Sequence, residues 1–205
     1  MTELQISPQP PETPPEPGMV ILGRFQPFHM GHEILIKSAV EWRNENSPES
    51  KIVIAIGSSN RPETLRNPWS AEERKAMVEA WAGSDEKLGG FQIVAIPDID
   101  DPPNWVSHAE KYHGAPGTLF TSDRETAELY RKGGWEVVIT HLELRERYEG
   151  WRVRETARMM STIIEEEAVT EVLGATIPLP VIDYLISNGA LRRLAFLGEG
   201  GEPVG

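Results

Sequence analysis

The chain has 205 residues, of which 39% are hydrophobic, and it carries a formal net charge of −12 at pH 7. This length suits one ordinary domain with appendages, and the acidic balance argues against a broad nucleic-acid-binding surface, which needs clustered Lys and Arg. The absence of cysteine excludes disulfides and thiolate metal sites. Because no apolar run is long enough to span a bilayer and no secretory signal is recognisable, we expect a cytoplasmic protein with neither a membrane nor a nucleic-acid partner.

The two ends of the chain have compositions that do not favour packing. Residues 1–17 hold six prolines and no Lys or Arg, so we expect a disordered or polyproline-like tail. Such a segment can be a docking ligand for a proline-binding module, although a solvated extension is the commoner case. Residues 198–205 are rich in glycine and are expected to form a second flexible tail, which leaves 18–197 as the folded domain.

Strand-like and helix-like segments alternate in the first half of this domain. The predicted elements are a strand at Met19–Leu22, a helix at Gly31–Asn46 and a strand at Lys51–Ile56. The last of these is a β-branched run typical of a buried parallel strand. Ser70 followed by Glu73 forms a capping box, which predicts a helix running to about Trp81.

The alternation continues through the second half. Strands are predicted at Phe91–Ile96, Thr118–Phe120 and Trp135–Thr140, and helices at Asn104–Tyr112 and from an Asp123 cap to Lys132. From Val153 onward the pattern is helical, with breaks at Gly174 and Pro178. Alternation of this kind predicts an α/β fold with a Rossmann-like, doubly wound parallel sheet.

The segment Gly23–His32 joins the first predicted strand to the first predicted helix and reads Gly-Arg-Phe-Gln-Pro-Phe-His-Met-Gly-His. Ligands of doubly wound sheets bind beyond the carboxyl ends of the strands. Gly23 allows close backbone approach, and Gly31 leaves room for a phosphate near the helix start, where N–H groups and the dipole favour an anion. His29 and His32 can donate hydrogen bonds to that phosphate. A metal pair or a structural loop is the alternative, but no further zinc-type ligand set accompanies them.

This segment resembles the signature of the HxGH nucleotidyltransferase superfamily, specifically the archaeal-type nicotinamide-mononucleotide adenylyltransferases. Further segments fall in that family's order: Ile56–Ser59, Leu65–Arg74, Asp98-Ile99 with Trp105-Val106, and Arg147–Arg154. The resemblance covers about residues 19–195. It implies the HxGH nucleotidyltransferase fold, transfer of AMP from ATP to nicotinamide mononucleotide to give NAD and pyrophosphate, a Mg²⁺ requirement and a homo-oligomer.

The resemblance also implies roles for individual residues. His29 and His32 match the histidines that contact the ATP phosphates and stabilise the transition state, and Arg24 matches the arginine beside those phosphates. Arg154 matches the arginine that closes the late ISSTxxR-type motif. The remaining predicted contacts with nucleotide or acceptor are Gly23, Phe25, Gln26, Gly31, Arg66 and Trp105. No residue is predicted to bind metal, since Mg²⁺ is expected to be held chiefly by substrate and water.

Three of these assignments have alternatives that the residues alone leave open. Arg66 matches a phosphate-binding arginine, and Trp105 matches the aromatic that stacks on the nicotinamide ring. A core position is about as frequent for a tryptophan as a stacking role. A surface salt bridge is the alternative for Arg66 and for Arg154.

The sequence departs from the family pattern at two places. Glu149, Gly150 and Trp151 stand where the late motif usually offers Ser and Thr hydroxyls. Pro102 stands where the family has an asparagine that recognises the carboxamide, and the neighbouring Asn104 is the nearest amide. These changes keep two alternatives open, namely a related nucleotidyltransferase with another acceptor such as flavin mononucleotide, and an inactive nucleotide-binding regulator.

Overall fold

Five parallel strands form the central sheet in the order β3-β2-β1-β4-β5. The strands are Met19–Gly23 (β1), Ile52–Ile56 (β2), Gln92–Ala95 (β3), Thr118–Thr121 (β4) and Glu136–Ile139 (β5). The computed structural model describes residues 5–61, 63–85, 88, 90–142 and 145–197. The predicted doubly wound parallel sheet is confirmed, with the order reversing between β1 and β4. Gly23 therefore ends the strand at the point where ligands of such sheets bind.

Seven α-helices connect and follow these strands within the described residues. They are Met30–Asn46 (α1), Ala71–Ala82 (α2), Trp105–His113 (α3), Arg124–Lys132 (α4), Gly150–Met160 (α5), Glu166–Leu173 (α6) and Leu179–Ser187 (α7). The last helical region begins at Gly150 rather than at the predicted Val153. No capping residue indicated this earlier start, because Glu149 at the N-cap makes no side-chain cap bond. No helix in the described part of the chain is long and apolar enough to cross a membrane.

The chain divides into two compact units. The first, here called the sheet unit, is built from Met1–Arg24, His32–Arg61 and Lys87–Glu143. The second, here called the helical unit, is built from Phe25–Gly31, Pro62–Glu86 and Leu144–Gly205. The sequence predicts a single domain over 18–197, and its pattern marks no boundary at these junctions because segments of the two units alternate along the chain.

The sheet unit has a core in which strand residues pack against α3 and α4. Its buried members include Val20, Val53, Ala55, Leu119, Val106, Ala109, Tyr112, Tyr130 and Trp135. His113 is fully buried among them, with Nδ1 2.8 Å from the Gly114 oxygen and Nε2 2.9 Å from the Tyr130 hydroxyl. His113 is thus an ordinary core histidine whose ring nitrogens are both hydrogen-bonded.

The proline-rich N-terminal segment belongs to the sheet unit. Among its described residues, 5–17, none is in a helix or strand, and most are exposed. Its backbone nevertheless accepts hydrogen bonds from the sheet unit, including one of 2.9 Å from the Tyr112 hydroxyl to the Pro8 oxygen. Residues 1–4 and the predicted C-terminal tail 198–205 lie outside the described residues.

The predicted capping box opens the helical unit's α2. The Ser70 Oγ accepts from the Glu73 N–H at 3.2 Å, and the Glu73 carboxylate accepts from the Ser70 N–H at 2.9 Å. The same carboxylate accepts two bonds of 2.7 Å from the Arg193 guanidinium. Glu73 therefore joins the start of α2 to the C-terminal 3₁₀ turn Arg192–Ala195.

Loss of the Ser70 cap tests this local account. Ser70→Ala is expected to lower the free energy of unfolding by about 1 kcal/mol, because the Glu73 N–H loses its acceptor. Urea unfolding followed by circular dichroism measures the change. Ser107→Ala, at an exposed position of α3, is the matched control and should stay within about 0.5 kcal/mol of the wild type. Equal stabilities of the two variants would contradict the assignment of the cap.

Candidate active site

The loop Phe25–Gly31 of the helical unit is fixed by the side chain of Gln26, which is 3% exposed. Its Nε2 donates to the Trp69 oxygen at 2.8 Å, and its Oε1 accepts from the Trp69 N–H at 3.1 Å. Trp69 is itself buried, and its indole N–H donates to the Ala190 oxygen at 3.1 Å. A buried amide that makes both bonds holds the loop backbone in one place.

Aromatic packing supports the same loop. Phe25 and Phe28 are buried and stack with ring centroids 6.0 Å apart, and Phe28 also packs on Trp81 at 4.8 Å. The sequence predicts nucleotide contacts for Phe25 and Gln26. Both side chains lie in the interior, where this packing and the Trp69 bonds hold them, and both support the loop. Phe25 holds a φ of 51°, an unusual value for a residue other than glycine.

Gly31 allows the loop to pack closely. A Cβ at this position would lie 2.9 Å from the Tyr148 Cβ and 3.0 Å from the His29 Cε1. Real Cβ atoms essentially never come as close as the first distance and rarely as close as the second, so a larger residue would displace Tyr148 and crowd the His29 ring. The space that Gly31 leaves is therefore used by these two side chains.

His29 is buried, with 7% exposure. Its pKa is lowered to about 4, first by this burial, which disfavours the charged imidazolium, and second by the positive charge of Arg154. At neutral pH the imidazole is consequently neutral. It can act as a hydrogen-bond donor or acceptor but not as a cation.

Arg154 supplies positive charge beside this loop. It lies in α5, is half-buried, and its Nη1 donates to the Gln26 backbone oxygen at 2.8 Å. Gly150 leaves room for it, because a Cβ there would lie 3.2 Å from that same Nη1. The helical unit thus brings together the predicted residues Phe25, Gln26, His29, Gly31 and Arg154.

The unexpected carboxylate at Glu149 is compensated locally. Its Oε2 accepts from the Trp151 indole N–H at 2.7 Å and from the Arg152 Nε at 3.2 Å. The Arg152 guanidinium also lies 4.6 Å from the centre of the Trp151 ring, a cation–π distance. Glu149 therefore carries a neighbouring positive charge of its own, which reduces the repulsion that a bare carboxylate would exert on a phosphate.

Three further predicted residues have exposed or half-buried side chains. Arg66 is exposed and lies in a tight turn that two backbone hydrogen bonds close between Thr64 and Asn67. In the sheet unit, Arg24 is exposed directly after β1, and His32 is half-buried in the first turn of α1.

The sheet unit also contains a cavity of about 330 Å³ beside Trp105. Its lining comprises Leu22, Arg61, Asp98, Asp100, Asp101, Pro102, Trp105, Thr126, Leu129 and Tyr130. Leu22 lies near the end of β1, and Arg61 and Asp98 follow β2 and β3, so the cavity lies where parallel strands end. Trp105 is half-buried and meets Tyr130 edge-on at 6.3 Å.

The polar wall of this cavity is an ion-pair cluster. The Arg61 Nε lies 2.6 Å from the Asp98 Oδ2, and its Nη2 contacts the Asp100 carboxylate. These hydrogen bonds, first to Asp100 and then to Asp98, raise the pKa of Arg61. With Asp101 also in the lining, carboxylates outnumber the guanidinium, so the wall is acidic.

No functional role is predicted from the sequence for Arg61 or Asp100. The available signal was their position in short segments directly after β2 and β3. Pro102 lines the cavity where the family asparagine was expected, and Asn104 donates its amide to Asp101 at 2.7 Å. Asn104 is engaged with that neighbouring carboxylate and is not among the residues that line the cavity in the described part of the chain.

The chain matches known proteins over most of its length. Residues 20–167 match the family described as cytidylyltransferase-like. A nicotinamide-nucleotide adenylyltransferase of Methanococcus vannielii is 32% identical over 179 residues, which are 87% of this chain and 94% of the relative. The chain belongs to the nicotinamide-nucleotide adenylyltransferase family. Another member, from Picrophilus torridus, is 32% identical over 134 residues, 65% of this chain and 75% of that relative.

Solved structures of low sequence identity share the fold of this adenylyltransferase. A Plasmodium falciparum nicotinic acid mononucleotide adenylyltransferase superposes with a TM-score of 0.55 at 12% identity, covering 86% of this chain and 98% of that one. A bifunctional NMN adenylyltransferase/ADP ribose pyrophosphatase from Francisella tularensis gives a TM-score of 0.53 at 19% identity. The match covers 83% of this chain but only 53% of the Francisella chain. The predicted Rossmann-like nucleotidyltransferase fold is confirmed.

The low pKa of His29 makes the stability of this adenylyltransferase depend on pH. Because the folded-state pKa of about 4 lies below the ordinary 6.5, the unfolded chain binds more protons between these values and stability falls as the pH is lowered. The His29 share of the loss from pH 7 to pH 5 is about 2 kcal/mol. Burial lowers the pKa of His113 as well, so the two histidines act in the same direction.

Urea unfolding of wild type and His29→Gln at pH 7 and pH 5 separates the two contributions. The variant should lose less stability than the wild type on acidification, because glutamine cannot be protonated in this range. An equal loss in both proteins would show that His29 is not the buried neutral group described.

Proposed function

We propose that this chain transfers AMP from ATP to nicotinamide mononucleotide, giving NAD and pyrophosphate. The observation that carries the proposal is the HxGH loop, in which buried His29 lies beside Arg154, in a chain that belongs to the adenylyltransferase family. The substrate is inferred from the activity for which the relatives are named. The polar groups of the loop could bind and stabilise the phosphates of such a substrate.

The reaction needs no covalent enzyme intermediate. A phosphate oxygen of the acceptor mononucleotide attacks the α-phosphorus of ATP in line, and the bond to the bridging oxygen of the β-phosphate breaks as pyrophosphate leaves. The protein has to position the two substrates and offset the charge that develops on the phosphate oxygens. We assign the donors to His29 and His32, and the positive charges to Arg24, Arg66 and Arg154.

His29 and Arg154 have different proposed roles. Neutral His29 offers a hydrogen bond without a charge, so the charge beside it comes from Arg154, which the Gln26 carbonyl holds. In the described part of the chain, no group of three or more His, Asp or Glu side chains is arranged to hold a metal. We propose that Mg²⁺, which the family resemblance implies, would enter with ATP and would offset charge on the phosphate oxygens.

The Trp105 cavity supports the choice of acceptor. A pyridinium ring is attracted to an aromatic face by about 0.5–2 kcal/mol, which suits Trp105. The acidic wall formed by Asp98, Asp100 and Asp101 favours the cationic ring with a neutral carboxamide over the same ring with a carboxylate. The local charge that disfavours nicotinic acid mononucleotide in this proposal is the excess of three carboxylates over the single Arg61 guanidinium in the wall.

The homo-oligomer that the family resemblance implies is part of the same proposal. Sedimentation velocity of the purified protein tests this assembly independently of catalysis.

His32→Ala tests the assigned chemistry. We expect kcat/KM for NAD formation to fall about 100-fold or more, because one preorganised donor to the transition state is lost. The melting temperature should change little, since the side chain is only half-buried. Pyrophosphate release and thermal denaturation give the two readouts, and the exposed His141→Ala is the matched control. Near-wild-type turnover in folded His32→Ala would remove this residue from the mechanism.

An acceptor panel tests the substrate. Nicotinamide mononucleotide should be used at least as well as nicotinic acid mononucleotide. Trp105→Ala should raise KM for both by a similar factor, about 2- to 30-fold. Asp101→Asn should lower the ratio of kcat/KM for nicotinamide mononucleotide to kcat/KM for nicotinic acid mononucleotide, because one carboxylate of the wall is removed. Turnover with flavin mononucleotide but with neither pyridine nucleotide would show that the acceptor is not nicotinamide mononucleotide. ATP binding without turnover of any acceptor would instead support an inactive nucleotide-binding regulator.

A further inference from the structure

The N-terminal segment offers three backbone carbonyls to side chains of the sheet unit. The Gln5 oxygen accepts from the Asn60 Nδ2 at 2.9 Å, and the Ser7 oxygen accepts from the Ser59 Oγ at 3.3 Å. The Pro8 oxygen accepts from the Tyr112 hydroxyl at 2.9 Å. Proline lacks an N–H but keeps its carbonyl, so a proline-rich strand of chain can still be held in this way.

Asn60 links this segment to the cavity wall. Its Nδ2 donates to the backbone oxygens of both Gln5 and Asp98 at 2.9 Å. Its Oδ1 accepts from the Asp98 N–H at 2.7 Å. An asparagine amide has two N–H donors, and here one goes to the N-terminal segment while the other goes to the residue that forms the wall.

The wall itself depends on the positions of Arg61 and Asp98. Arg61 directly follows Asn60 and pairs with the Asp98 carboxylate, and both side chains line the cavity beside Trp105. The loop is also tied to the end of β3, because the Ser59 N–H donates to the Ile96 oxygen at 3.0 Å. A shift of Asn60 would therefore move the polar wall of the cavity.

The segment is held on α3 as well. Tyr112 is 3% exposed, so its hydroxyl has little water to bond in place of the Pro8 oxygen. Gly114, with a φ of 81°, ends α3 so close to the backbone of Pro15 that an added Cβ would overlap it. The segment thus has hydrogen bonds near its start and a close backbone approach to α3 near its end. Its prolines restrict the free chain and so lower the entropy lost on docking.

We propose that the segment from Gln5 to Pro17 is a positioning element of the acceptor pocket. Through Asn60 it holds the Arg61–Asp98 pair in the place that the acceptor mononucleotide requires beside Trp105. This inference rests on the proposed function of that cavity. Asn60 is a positioning residue, because it acts on the acceptor through Asp98 and Arg61.

Steady-state kinetics with both substrates tests the inference. Deletion of residues 1–9 should raise KM for nicotinamide mononucleotide about 3- to 10-fold, while KM for ATP and kcat change less than about 2-fold. Tyr112→Phe, which removes a single hydroxyl, should raise the same KM about 2- to 3-fold. Lys75→Gln is the control, since it breaks only the exposed pair between Lys75 and Glu79 in α2 of the helical unit and should leave every constant unchanged.

Hydrogen exchange supplies a readout that does not depend on turnover. The deletion should speed amide exchange in residues 57–61 and 97–101, and leave exchange in α5 and α7 unchanged. If the deletion variant keeps both the wild-type KM for nicotinamide mononucleotide and the wild-type exchange rates, this inference is overturned while the proposed function stands. If the deletion variant does not fold, an unchanged acceptor KM in Tyr112→Phe overturns it. Absence of turnover in the wild type would overturn the proposed function and this inference with it.

Discussion

The two hydrogen bonds between the Gln26 amide and the Trp69 backbone hold the loop on which the rest of the candidate site depends. Both groups are buried, so neither can exchange its partner for water at low cost. With the loop fixed, the Gln26 carbonyl points at Arg154 and the His29 ring is buried against Gly31. The positions of His29 and Arg154, for which a catalytic role is proposed, and the ionisation of His29 therefore depend on these two buried hydrogen bonds.

The net charge of −12 would by itself repel a triphosphate, so the charges around each site matter more than the total. Burial keeps His29 neutral, and Arg154 supplies the positive charge beside it. Glu149 stands where the family has a hydroxyl, but Arg152 and the Trp151 indole bind its carboxylate. In the sheet unit the balance is reversed, because aspartates outnumber Arg61 around Trp105. One acidic chain thus contains both the loop proposed to bind phosphate and a cavity proposed to bind a cationic ring.

The sequence predicted the parts of the structure that local patterns determine. The β-branched run before Ile56 predicted a buried strand, and the Ser70 and Asp123 caps predicted the starts of α2 and α4. It could not predict that Gln26 binds Trp69, because that pair is 43 residues apart and nothing in either segment marks it. The contacts of the N-terminal segment could not be predicted from the sequence either, since their acceptors are backbone carbonyls that any residue would carry.

The proposed reaction joins AMP from ATP to nicotinamide mononucleotide, with the HxGH loop and the Trp105 cavity as candidate binding sites. The most direct measurement is mass spectrometry of the products formed from ATP and that acceptor, with pyrophosphate counted in parallel. We expect one NAD for each pyrophosphate released, and no pyrophosphate release without the acceptor. Pyrophosphate release without NAD, or bound ATP that stays intact in the presence of the acceptor, would contradict the proposed reaction.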